Sequence, residues 1–317
     1  MTTHRAPASV ASWLRQPGAD DDKYRRGVLG VRTGAPEYPG AAVLSVTAAW
    51  RTGVGVLRYV PPASTAPRDL GLPTSAAAVL AARPETVFGA SERANDAWLI
   101  GSGTDPVTRT PQETAQLREL IDGSAPVVVD AGALDLVGTT SAPLLLTPHA
   151  GEFARLWDAA GLGPVPPDLR DPTAVVERAA ATERLASALG STVLLKGSIT
   201  VCASPDAPAR YAGPATPWLA SAGTGDVLAG ILGALLATHA HTVREDSTVL
   251  AELGIAGALL HDRAARIAAG EPPESSPQHA GRLGRPVTAL DVAEAIPAAF
   301  AQLASPGEPE PTTRLTR

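Results

Sequence analysis

Short apolar runs recur along most of this 317-residue chain, each ending in glycine or a polar side chain and most separated by stretches of helical period. Val28-Leu29-Gly30-Val31 leads into Thr33-Gly34. An Ala-rich helical stretch follows from Ala41 to Arg51, ends at Gly53-Val54-Gly55, and gives way to a second run from Val56 to Val60. Trp98-Leu99-Ile100 leads into Gly101-Ser102-Gly103-Thr104, with helical period over Gln112 to Ile121. Val127 to Val129 ends in Asp130. Leu144 to Leu146 ends in Thr147-Pro148-His149-Ala150-Gly151-Glu152. A helix from Thr173 to Leu189 precedes Thr192 to Leu195, which ends in Lys196-Gly197, and Thr200-Val201-Cys202 turns back beside it as a hairpin. Continuous apolar runs of this length suit strands buried on both faces, and parallel neighbours need the crossovers that intervening helices supply. The pattern predicts an α/β fold, a three-layer α/β/α sandwich with a mainly parallel central sheet. In such sheets ligands collect at the carboxyl ends of the strands, where the polar and glycine-rich clusters of this chain fall.

Ala222-Gly223-Thr224-Gly225-Asp226 opens an apolar helix predicted over Val227 to Thr238. Gly223 and Gly225 permit positive φ and close approach of a ligand to the backbone. A helix start offers unpaired N–H groups and the positive end of the helix dipole. Together they form an anion hole over Gly223, Thr224 and Gly225, suited to a phosphoryl group in transfer. A carboxylate beside such a hole can take a proton from an attacking hydroxyl. Asp226 is equally well placed to be a helix cap, since Asp is a favoured N-cap residue.

The remaining candidates stand at other strand ends. His149 is either a structural hydrogen-bonding residue or a substrate contact. Glu152, at a predicted helix start, either answers the helix dipole or holds Mg²⁺ through water near nucleotide phosphates. Lys196 either reaches phosphate or is a solvated turn residue. Asp130 either touches ligand or caps the next turn. A lone Gly-x-Gly at Gly101 to Gly103 is weak evidence for backbone packing of a ligand. No Gly-x-x-x-x-Gly-Lys-Ser/Thr loop, Gly-x-Gly-x-x-Gly at the first strand–helix turn, Gly-x-Ser-x-Gly elbow or His-Glu-x-x-His motif is present, so the nucleotide reading rests on the Gly-Thr-Gly-Asp hole.

A net charge of -6 argues against a dedicated nucleic-acid binder. The single cysteine, Cys202, leaves no partner for an intrachain disulfide or a cysteine-built metal site, which fits a reducing, cytoplasmic setting. The first residues lack the basic-then-apolar layout of a signal peptide, and no apolar run approaches the ~18 residues of a membrane span. Residues 1–22 are expected to be a loose leader with one short helix, 23–304 one domain ending in helices over Asp246 to Ala269 and Ala289 to Leu303, and 305–317 a disordered tail rich in Pro, Glu and Thr.

With these motifs in hand, the chain resembles the ADP-dependent (S)-NAD(P)H-hydrate dehydratase family, which has the ribokinase-like fold. The likeness is carried, in order, by Tyr38-Pro39-Gly40-Ala41-Ala42, Gly101-Ser102-Gly103, Val129-Asp130-Ala131-Gly132-Ala133-Leu134, Leu146-Thr147-Pro148-His149-Ala150-Gly151-Glu152-Phe153, Leu195-Lys196-Gly197-Ser198-Ile199-Thr200 and Ala222 to Gly230. Related vitamin kinases usually carry Asn where His149 stands. Ser102 replaces the family's usual Pro, Ala222 a common Gly, and Thr104 a usual Leu. Pro214 to Leu219 lacks the Asn-rich run often found before the anion hole.

The resemblance implies a repair reaction: ADP phosphorylates the 6-hydroxyl of the S epimer of NADH or NADPH hydrate, and phosphate then leaves to restore the dihydronicotinamide, with AMP released. It implies that Asp226 removes the hydroxyl proton and that Gly223, Thr224 and Gly225 hold the transferred group. By the same likeness Ala41, Gly103 and His149 border the hydrate with Asp226, and Lys196, Gly197, Ser198, Ile199, Thr200 and Gly225 border the adenine nucleotide. Glu152 would orient Mg²⁺. A separate epimerase is expected to supply the S form, since the stretch ahead of the first motif is too short for an epimerase domain, and homo-oligomers, often tetramers, are expected. The rival readings are an ATP-dependent vitamin, thiazole or sugar kinase of the same fold and a catalytically silent nucleotide-binding protein.

Overall fold

A computed structural model of the chain describes residues 8–63, 71–89, 93–138, 142–271 and 284–304. In chain order its strands are β1 (Val28–Arg32), β2 (Val56–Tyr59), β3 (Val87–Phe88), β4 (Ala97–Ile100), β5 (Val127–Val129), β6 (Leu144–Leu146), β7 (Thr192–Leu195), β8 (Thr200–Ala203) and β9 (Arg210–Ala212). Its α-helices are α1 (Ala8–Ala11), α2 (Pro39–Thr52), α3 (Ser75–Ala82), α4 (Pro111–Ile121), α5 (Ala150–Ala159), α6 (Val175–Leu189), α7 (Thr224–Thr238), α8 (Ala240–Glu245), α9 (Leu250–Ala269) and α10 (Ala289–Ala304).

The strands form one sheet in the order β3-β2-β1-β4-β5-β6-β7-β8-β9. Pairs from β3 through β7 are parallel, while β8 and β9 add antiparallel. Every residue of β1, β5, β6 and β7 is buried, as continuous apolar runs require when helices cover both faces. The sheet therefore divides the core in two. Leu29, Leu99, Val128 and Leu194 face a cluster with α2, α7, α9 and α10, and Ile100, Val129, Leu146 and Leu195 face another with α4, α5 and α6. This alternation of partners along each strand is the period of two expected of extended chain.

Several elements differ from the sequence expectation, each for a local reason. The helix expected from Val227 begins at Thr224, because Gly223 (φ 87°) turns the chain in the left-handed region and Thr224 Oγ1 donates to the carbonyls of Leu219 and Ser221 (2.7 and 2.9 Å). Asp226 is thus the third helical residue and not the cap. Strand β3 has only two residues, both exposed, and β9 only three, too short for periodicity to register. Of the stretch read as leader, residues 8–22 are described, and Val10 and Leu14 are buried in the larger core cluster. Trp13 Nε1 donates to Glu252 at 3.2 Å. The expected tail, 305–317, lies outside the described residues.

Candidate active site

Five parallel strands, β1, β4, β5, β6 and β7, end at one edge of the sheet, and the polar groups that follow them are tied to one another. Gly34 N donates to Ser102 O at 2.7 Å, Asp130 N to Ile100 O at 3.1 Å, and Lys196 N to Pro148 O at 2.9 Å. At the centre stands Asp130, 3% exposed. Its carboxylate accepts from Ser102 Oγ (2.8 Å), Thr147 Oγ1 (2.7 Å) and Lys196 Nζ (2.9 Å), one donor from each of three neighbouring strand ends. Burial works to raise its pKa, but the Lys196 ammonium and the three donors outweigh it and hold the carboxyl below its ordinary value. The side chain of Asp130 does not cap the helical turn that follows it; it anchors a lysine.

Lys196 is shared. Besides Asp130 it lies 3.8 Å from Glu152 Oε2. Burial works to lower its pKa, yet Asp130, Glu152 and Asp226 around it raise it, so the ammonium stays charged. A methyl group built on Gly225 would lie 3.9 Å from Nζ, which places the ammonium against the first turn of α7. No side chain caps that turn, and the Gly225 and Asp226 amides find no acceptor outside the helix among the described residues. Of the two glycines, only Gly223 uses the left-handed region. Gly225 is helical, and what it contributes is open space above its backbone.

Asp226 is half-buried and projects into this field. Burial first, and the Asp130 carboxylate second, push its pKa up to about 7, with Lys196 opposing. A carboxylate with that value is a stronger base than an ordinary one and still half ionised near neutral pH.

His149 caps α5. Its Nδ1 accepts from the amides of Gly151 (3.0 Å) and Glu152 (3.2 Å), while Glu152 Oε2 accepts from the His149 amide at 2.8 Å, closing a capping box. The proton of the neutral ring is therefore on Nε2, and more than half of the His149 side chain is open to solvent. One imidazole thus caps the helix and leaves more than half of its side chain open. Glu152 is buried and engaged by both His149 and Lys196.

Ala41 and Gly103 meet across β1 and β4: a Cβ added to Gly103 would stand 2.2 Å from that of Ala41. Beside them a cavity of about 460 Å³ is lined by Tyr38, Thr104, Ala131, Glu152 and Arg155 among others. A second cavity, about 380 Å³, is lined by Lys196, Gly197, Ser198, Thr200, Thr224 and Gly225 and closed by apolar groups of Ala215, Pro217, Leu219, Ala220, Leu228 and Ala258. Ile199, expected with its neighbours, is not on this wall. Sequence reasoning missed that 215–220 forms part of the cavity and that His261, 6% exposed, reaches it from α9. The available signal for His261 was one imidazole on the apolar face of a long helix, beside Leu260 and Ala264.

A mainly parallel sheet with an antiparallel edge defines a ribokinase-like α/β domain, and an uncapped helix start behind glycine sets a carboxylate in its first turn. The fold agrees with that of the ADP/ATP-dependent NAD(P)H-hydrate dehydratase of Bacillus subtilis, crystallised with ATP and Mg²⁺ (TM-score 0.70, 23% identity, covering 94% of this chain and 97% of that one). A family model described as NAD(P)H-hydrate dehydratase matches residues 29–281. The bifunctional NAD(P)H-hydrate repair enzyme of Mycobacterium leprae is 39% identical over 288 residues, 87% of this chain and 53% of its own length. The ADP-dependent (S)-NAD(P)H-hydrate dehydratase of Xanthomonas campestris is 34% identical over 254 residues, 75% of this chain and 82% of its own length. The chain belongs to the NAD(P)H-hydrate dehydratase family. It spans about half the length of the bifunctional relatives it matches. No helix among the described residues is long and apolar enough to cross a membrane.

Proposed function

We propose that this domain repairs the S epimer of NADH or NADPH hydrate by ADP-driven dehydration. The observation that carries the reading is Asp226, its pKa pushed up to about 7, in the uncapped first turn of α7 beside Lys196.

ADP binds in the cavity between the β7–β8 hairpin and α7, with its terminal phosphate against the Gly225 and Asp226 amides and the Lys196 ammonium. The hydrate enters beside Ala41, Gly103 and His149, whose Nε2–H lies 3.5 Å from Glu152 Oε1. Asp226 takes the 6-hydroxyl proton as that oxygen attacks the β-phosphorus. The bond to the bridging oxygen breaks and AMP leaves. A poor leaving group, hydroxide, has become a good one, phosphate. The ring nitrogen's lone pair expels it, giving an iminium ion, and loss of a C5 proton restores the dihydronicotinamide. Amides fixed in a helix start need no reorganisation as charge builds on the phosphoryl oxygens.

Glu152 suits Mg²⁺ only through water, since Oε2 already takes the His149 amide and Lys196 stands close by. When bound, Mg²⁺ supplies charge neutralisation on the phosphate oxygens. The reading extends to a cytoplasmic homo-oligomer, the tetramer of the resemblance, fed by an epimerase. The mass of the protein in solution tests the former, and repair of the R epimer only after epimerase is added tests the latter. Incubation with NADH hydrate and either ADP or ATP, following the dihydronicotinamide absorbance, tests the activity. An ATP-dependent kinase of small alcohols would leave that absorbance flat.

A further inference from the structure

We propose that Arg155 holds the pyrophosphate of the dinucleotide hydrate, and that the part of the substrate beyond the nicotinamide ring lies in the 460 Å³ cavity. This rests on the reading above, with ADP in the 380 Å³ cavity and the hydrated ring beside Ala41, Gly103 and His149.

The cavity adjoins that ring position. Glu152 belongs to its wall, and its Oε2 accepts from the His149 amide at 2.8 Å and lies 3.8 Å from Lys196 Nζ. Tyr38 and Thr104 belong to it as well. Tyr38 O accepts from the Ala41 amide at 3.2 Å, and a Cβ built on Gly103 would stand 3.4 Å from the same oxygen. Of the two cavities, this is the one that ADP leaves open for the rest of a dinucleotide, and its volume suits a small-molecule site.

Among the described residues its wall carries the carboxylates of Asp105, Asp135 and Glu152 and a single cation, Arg155. The carboxylates are engaged. Arg109 holds Asp135 at 2.5 and 2.9 Å, Asp105 accepts from the Val107 amide at 2.9 Å, and Glu152 takes the His149 amide. Arg155 is exposed, and its guanidinium has no hydrogen bond or ion pair among the described residues. It follows Glu152 by three residues on α5, so the two side chains share one face about 5–6 Å apart. That step matches the ribose that separates the nicotinamide ring from the first phosphate. An anionic bridge is repelled by this wall except at the arginine. A guanidinium offers paired N–H donors that fit two phosphoryl oxygens, and Leu134, Val137 and Leu156 supply apolar surface for the sugars.

The test measures KM and kcat in the ADP-driven repair assay for the wild type, Arg155→Met and Arg155→Lys. The substrates are (S)-NADH hydrate, (S)-NADPH hydrate and the hydrate of reduced nicotinamide riboside, which carries no phosphate. Calorimetric titration with NADH, the product, gives a readout apart from turnover. Because Arg155 is exposed, both variants are expected to fold and to keep the wild-type KM for ADP. Arg155→Met is expected to raise the KM for both dinucleotide hydrates about tenfold and to weaken NADH binding alike, with the KM for the riboside hydrate as in wild type. Arg155→Lys, which keeps the charge and loses the fork, is expected to recover part of that loss. High salt is expected to narrow the gap between wild type and Arg155→Met. An unchanged KM for NADH hydrate in Arg155→Met overturns the assignment, and so does an equal rise for the riboside hydrate. A rise confined to NADPH hydrate overturns it too, by placing the 2′-phosphate at Arg155. A folded wild type that repairs no hydrate with ADP instead overturns the function on which the assignment rests.

Discussion

Asp226 has two consequences with opposite dependence on pH. As a base it must be ionised, so kcat/KM should fall as pH drops through about 7. Asp226→Asn should lower the rate about 10²–10⁴-fold, with ADP binding retained. In stability the sign reverses. A carboxyl whose folded value is raised binds its proton more tightly in the native state. Its contribution is therefore present at low pH and lost as pH rises from 3.8 through about 7. Asp226→Asn should melt higher than wild type at pH 8, and that gain should vanish towards pH 4, as thermal scans across the range would read. A variant slower and more stable at neutral pH marks a residue held at a cost for chemistry. The residue was legible in the sequence as a carboxylate after Gly-Thr-Gly. Its pKa was not, because the Asp130 charge that helps raise it arrives from a strand end almost a hundred residues away.

Helix starts carry the next layer, and their glycines separate fold from function. A methyl at Gly225 meets no atom closer than Lys196 Nζ at 3.9 Å. Gly225→Ala should therefore keep or raise stability, by about 0.5–1 kcal/mol from helix propensity, while raising the KM for ADP about tenfold by crowding the phosphate. At Gly223, φ is 87° and a Cβ would lie 2.6 Å from Leu44 Cδ1. Gly223→Ala should cost about 1–3 kcal/mol of stability, read as a lowered denaturant midpoint. His149 divides in the same way. His149→Ala removes the α5 cap and should cost about 1 kcal/mol. His149→Asn keeps a capping side chain and should restore stability, yet still raise the KM for the hydrate because the Nε2–H is gone. Equal KM values for the two substrates in wild type and His149→Asn would remove His149 from the hydrate site. Strands β1, β2 and β4 to β8 and the longer helices were readable from runs and period. The start of α7 was not, since Thr-Gly-Asp is poor helix-forming sequence and only the turn at Gly223 and the bonds of Thr224 fix it. The 215–220 wall was also opaque, being irregular chain folded against α9.

Across the whole molecule, the sheet order brings the ends of β4, β5, β6 and β7 onto one carboxylate. Lys196→Met leaves Asp130 buried without its cation and should destabilise by about 3–5 kcal/mol. It should also move the acid limb of the rate upward, because Lys196 opposes the raised pKa of Asp226. Asp130 was seen in the sequence as a carboxylate at a strand end. Its partnership with Ser102, Thr147 and Lys196 depends on strand order, which periodicity does not encode. The parallel α/β class followed from alternation alone; the resemblance added the ribokinase-like name and the repair chemistry. The most direct measurement of the central claim is recovery of dihydronicotinamide absorbance from (S)-NADH hydrate with ADP, wild type beside Asp226→Asn. The account predicts ADP-dependent recovery with one AMP per NADH in the wild type, and a rate at least about a hundredfold lower in the variant. Equal rates in the two proteins would contradict it.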